Sequence, residues 1–149
     1  MRLLAFVLAA VVLASGCGGD DDDSASTTSA TTSAESKLDP RCIEATTLIT
    51  NAIGAGLKVK GRKLGLAHAV KSTAFGSVFF VSGEIVGATS KPIGTWATNN
   101  LNLGGLIFSV DPVAKKLSRW PSGAGFDPKL TMKLDGARLS RTCVKQAGG

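Results

Sequence analysis

The chain has 149 residues, 44% of them hydrophobic and 19% charged. That suits one domain of ordinary size and excludes both a second core of equal weight and a chain disordered throughout. The formal charge of +6 is unevenly spread: residues 37–149 carry 16 Lys and Arg against 6 acidic residues, about +10, while Asp20 to Asp23 and Glu35 lie ahead of them.

Arg2 precedes a continuous apolar run of 12 residues, Leu3 to Ala14, followed by the small residues Ser15 and Gly16. A run that short spans too little bilayer for a permanent helix and reads as an export signal. Ala14-Ser15-Gly16-Cys17 resembles the lipobox of bacterial lipoproteins, although that family more often has Leu at the place of Ala14. The resemblance covers only the first 17 residues. It implies that Cys17 becomes the first residue of the mature chain and carries lipid, on the outer face of the cytoplasmic membrane. A lone acyl chain holds a protein marginally and several hold it stably, so a multi-chain anchor is implied. The alternative is an ordinary secretory signal with an incidental cysteine.

Residues 18–36, GGDDDDSASTTSATTSAES, contain no aromatic and no large aliphatic side chain. Such a segment cannot bury enough apolar surface to offset chain entropy and reads as an acidic, Ser/Thr-rich tether. Asp20 to Asp23 lack the alternating spacing and central glycine of a calcium loop.

Residues 37–149 read as a single α+β domain. Asp39-Pro40 is a helix start, with Ile43, Ile49, Ile53 and Leu57 near one face and Gly54 or Gly56 at the end. Leu64, Leu66, His68 and Val70 then alternate with smaller residues at the period of a strand. Further strands follow at Ser77 to Val86, Thr95 to Asn99 and Leu106 to Val110, with Gly83 and Glu84 marking a bulge or an edge. Asp111-Pro112 opens a short helix, and a last helix runs from Lys129 to about Lys145. The expectation is a sheet of about four antiparallel strands with the N- and C-terminal helices packed on one face. Cys42 and Cys143, in an oxidising compartment, pair with each other and join those helices; closing a loop of about 100 residues contributes up to about 4.7 kcal/mol.

The chemistry is thin. His68, the single histidine, falls on the bulky face of its strand, where a half-buried hydrogen-bonded ring is the plainer reading than a base or a ligand. One histidine and two bridged cysteines make no metal cluster, and neither a Walker sequence nor a dinucleotide fingerprint occurs, so no cofactor is expected. Lys58, Lys60, Arg62 and Lys63 form the one dense basic cluster, in a loop. Trp96 with Asn99, Asn100 and Asn102, and later Trp120, is the equipment of a sugar or peptide site, set against packing of both tryptophans in the core.

The sequence therefore points to a tethered, noncatalytic binding or sensing module whose basic surface engages an anionic envelope polymer or a partner protein. Nucleic acid is not expected outside the cytoplasm. The alternative is a small extracytoplasmic hydrolase using His68 with Glu84 or Asp111. Metabolic labelling with fatty acid is expected to put label on the exported protein at Cys17; a chain that stays unlabelled contradicts the anchor.

Overall fold

The computed structural model describes residues 38–149 except 88, 103 and 104. The export segment, Cys17 and the acidic tether lie outside the described residues. In chain order the elements are β1 (Ile43–Glu44), α1 (Thr47–Ala55), β2 (Lys63–Lys71), β3 (Phe79–Val86), β4 (Ile93–Thr98), β5 (Ile107–Ser109), α2 (Pro112–Leu117), α3 (Gly123–Phe126) and α4 (Asp135–Gly148). The strands form one antiparallel sheet in sequence order, β1 to β5. The class is α+β, with one strand more than the sequence suggested.

The extra strand lies where a helix was expected. Asp39 and Pro40 open a turn, in which Asp39 accepts the amide of Arg41 on its side chain and that of Cys42 on its carbonyl. Ile43 and Glu44 then pair with Ala69 and His68 of β2. The helix begins later, at Thr47, capped by the Thr46 hydroxyl. That hydroxyl also donates to the Leu101 carbonyl, tying the start of α1 to the β4–β5 connection.

Both sheet faces are covered, and this corrects the expected packing. Neighbouring residues of a strand point to opposite faces. On β3, Val81 packs with Ile49 and Ile53 of α1, Trp96 of β4 and Ala114 of α2, whereas Phe80 packs with Ala97, Leu130 and Ala137 of α4. The first helix and the last thus lie on opposite faces. The bridge between Cys42 and Cys143 is present, with 101 residues of sequence separation, but it joins α4 to the residue before the edge strand β1 and not to α1. Eight residues ahead of Cys143, Asp135 in the first turn of α4 pairs with Arg41 at 2.8 Å. That guanidinium, helped by the Thr73 hydroxyl, holds the Asp135 carboxyl below its ordinary value. Residues 41 and 42 therefore grip α4 at two points about 12 Å apart along its axis.

Gly83 and Glu84 mark neither an edge nor a bulge in their own strand, since β3 is paired on both sides; the bulge lies on β2. Between Leu64 and Ala67 the register with β3 shifts, so that Gly65 and Leu66 together face Glu84. The extra residue turns Leu64 to the α1 face, with Ala67 and Ala69, and parts it from Leu66, His68 and Val70. Gly83 lies beneath it: a Cβ there would stand 2.7 Å from the Leu64 side chain.

One carboxylate links the two layers. Asp111 caps α2 by accepting the Ala114 amide at 2.7 Å, accepts the Thr95 amide of β4 at 3.3 Å, and pairs with Arg141 of α4 at 2.5 Å. Its side chain is 1% exposed. Beside it, also under α4, the Ser82 hydroxyl bonds those of Thr95 and Ser140. A buried charge pair adds little over an apolar pair of the same shape, yet losing one partner costs about 3–5 kcal/mol because the other charge is stranded. Arg141→Ala, which leaves the buried Asp111 carboxylate without its cation, is expected to lower unfolding free energy by about that much in denaturant titration, and an unchanged midpoint would show that the clamp carries no load.

Candidate basic site

The described residues hold two adjoining hollows where the end of α1 meets the turn before β2. The larger, about 390 Å³, is lined by Gly54, Leu57, Lys58, Lys60, Arg62 and Arg119, with the intervening turn. The second, about 350 Å³, is lined by Thr50, Asn51, Arg62, Lys63 and Leu64, with the end of α1. All four basic residues singled out from the sequence border these hollows, and Arg62 borders both. No acidic residue lines either.

The turn sits where it does because it is stitched to α2. The Lys58 amide donates to the Leu117 carbonyl at 2.9 Å and the Arg119 amide to the Gly56 carbonyl at 2.8 Å, flanking a bridge between Leu57 and Ser118. The Trp120 indole donates to the Ile53 carbonyl at the end of α1. Gly56 lies under that ring, where a Cβ would be 2.2 Å from the indole nitrogen. This crossing brings Arg119 to the hollow from 57 positions beyond Arg62 in the chain.

The cations differ in what they are free to do. The Lys58 ammonium donates to the Lys115 and Lys116 carbonyls, at 3.3 and 2.8 Å, and so serves the negative end of α2. Lys60 and Lys63 are exposed. Arg62 is half-buried; its Nε is fully buried and makes no hydrogen bond within the protein. A buried donor left without a partner costs about 1–3 kcal/mol.

The other candidates take structural places. Trp96 is 0% exposed and its indole donates to the Ser118 hydroxyl at 3.2 Å, so it offers no face to a sugar. Its ring folds back over Gly94. Asn99 accepts the Leu106 amide and Asn100 accepts the Asn102 amide, which spends two of the amide side chains on shaping the β4–β5 connection. Asn102 is exposed on that connection. Asn99 also borders an apolar hollow of about 210 Å³ with Val78, Ala97, Leu106, Phe108 and Phe126. Phe126 stacks on Phe108 there with ring centres 4.8 Å apart.

The hydrolase arrangement does not assemble around Asp111, which is committed to Arg141 and to the cap of α2. It lies beyond Thr95 of β4, and β2 is separated from β4 by two strand spacings, about 10 Å. His68 faces Ser82 on one side and Glu44 on the other, with Glu84 two residues further along β3. It is 8% exposed, its Nδ1 is buried without a partner, and it makes no hydrogen bond to Glu84. Among the described residues no group of three or more His, Cys, Asp or Glu is placed to hold a metal, and no helix is long and apolar enough to cross a membrane. No protein-family model matches the chain, and no curated protein or solved structure matches it either.

Proposed function

We propose that the chain is a lipid-anchored protein on the outer face of the cytoplasmic membrane, and that residues 37–149 form a noncatalytic module binding an anionic envelope polymer through the hollows at Arg62. The anchor follows from the apolar run Leu3 to Ala14 and the lipoprotein-like Ala14 to Cys17. The acidic, Ser/Thr-rich stretch 18–36 stands between the anchor and the domain as a spacer.

The observation that carries the binding role is the make-up of the hollows: Lys60, Arg62, Lys63 and Arg119 converge from two separate stretches of chain with no carboxylate among them. Cations spread for solubility alone have no reason to gather around a concavity, and there they repel one another. An anionic group relieves that repulsion. The domain's charge of about +10 draws a polyanion in from a distance, and the hollow gives it a place to stop. Nothing in these hollows provides a nucleophile with a base, which is why the role is binding.

The test is co-sedimentation of the full-length protein with isolated bacterial wall fragments. At about 0.1 M salt, where the screening length is about 10 Å, the protein is expected in the pellet; at about 1 M, where it is about 3 Å, it is expected in the supernatant. Binding that is absent at low salt, or unchanged at high salt, contradicts the reading.

A further inference from the structure

We infer that Arg62 is the fork of a phosphate-binding site, holding one phosphate group where the two hollows meet. This rests on the reading of the hollows as an anion site and narrows it from negative charge in general to one chemical group on one residue.

Gly61 and Gly87 both have positive φ, +84° and +89°. Gly61 turns the chain ahead of Arg62, and the Arg62 amide is held by the Val59 carbonyl at 3.3 Å. Gly87 gives the Arg62 stem its bed: a Cβ there would lie 3.6 Å from Arg62 Cγ and 3.5 Å from its Cα. The stem of the half-buried Arg62 thus packs against the turn that follows β3.

The same packing buries Nε with no acceptor in the protein. With Nε inaccessible, the guanidinium meets a ligand through its two Nη groups, whose parallel N–H donors match a pair of oxygens on one atom. A carboxylate would fill that fork and have nothing left. A phosphate has oxygens beyond that pair, and further basic residues border the same hollows, Lys60 and Arg119 the larger and Lys63 the other. Several cations around one concavity suit an anion with more than two oxygens. Exposed Lys58, Val59, Lys60 and Gly61 form the rim, so the site is open enough for a phosphate that is part of a larger molecule.

That chemistry has two sources at an envelope, the diester of a lipid headgroup and the phosphates of a soluble polymer. Calorimetry on the full-length protein in detergent separates them, using soluble polyphosphate in one arm and short-chain phosphatidylglycerol in the other, with polyglutamate as the carboxylate reference. Binding of either phosphate probe is expected to weaken about tenfold in Arg62→Lys, which keeps the charge and loses the fork, the equivalent of about 1.4 kcal/mol. Lys91→Ala, which removes a cation that lines neither hollow, is expected to weaken it less than twofold. The arm that shows the Arg62 effect names the source.

A second measurement needs no variant: one arginine Nε resonance of the nitrogen-labelled wild type is expected to shift on titration with inorganic phosphate. The inference is overturned if no such resonance moves, if Arg62→Lys binds as the wild type does, or if polyglutamate binds as tightly as polyphosphate at matched charge. Those results leave the broader reading standing. A wild-type protein that binds none of the three probes removes both.

Discussion

The contact on which the arrangement turns is the buried Asp111 carboxylate, because it is the point at which three layers meet. One oxygen caps α2 and receives the β4 amide of Thr95, and the other takes the charge of Arg141 on the helix across the sheet. A six-residue helix is too short to hold itself together, so α2 exists because its first turn is capped and its apolar side is packed. Everything downstream inherits its position. Leu117, Ser118 and Arg119 follow from α2, and the turn at 57–63 is hydrogen-bonded to them. The basic hollow is thus fixed through a chain of contacts that begins under the opposite helix.

The electrostatic design separates cations that hold the fold from cations that do not. Arg141 neutralises Asp111, Arg41 pairs with Asp135 beside the disulfide, and Lys58 covers the carbonyl end of α2. Arg62, Arg119, Lys60 and Lys63 have none of these duties, and they are the ones collected around the two hollows. The apolar hollow at Phe108 and Phe126 differs in kind, since its two rings already stack on each other. Cations gathered around a concavity with no carboxylate in its lining are the reason for placing binding at Arg62.

Much of this was legible in the sequence. The alternation of Leu66, His68 and Val70 in β2, the short helix behind Asp111-Pro112 and the pairing of Cys42 with Cys143 all follow from local pattern or forced arithmetic, whereas the bulge that moves Leu64 to the other face does not. The unbroken apolar run from Val78 to Val81 was also a signal that both faces are covered, because Phe80 and Val81 point opposite ways and both are 0% exposed. An amphipathic helix says that it buries a face and not which side of the sheet it buries it on, so the opposite placement of α1 and α4 stayed hidden. β1 escaped because two residues make no period, and because Asp39-Pro40 is as good a turn as a helix start. At the site, Lys58, Lys60, Arg62 and Lys63 stood out as a cluster. Arg119 did not, since a single arginine between Ser118 and Trp120 has no pattern, and only the crossing of α2 over Gly56 brings it in. Asp111 was readable as a cap and unreadable as the partner of Arg141, 30 positions away.

On the proposed reading, negative charge is received at one built place and not over a generally basic surface. Hydrogen exchange read by mass spectrometry on the full-length protein, with and without soluble polyphosphate, tests it most directly. Protection concentrated in residues 54–63 and 117–120 is the predicted result. Protection centred on the connection and hollow around 99–108 and 126–130, or spread evenly over the domain, would contradict it.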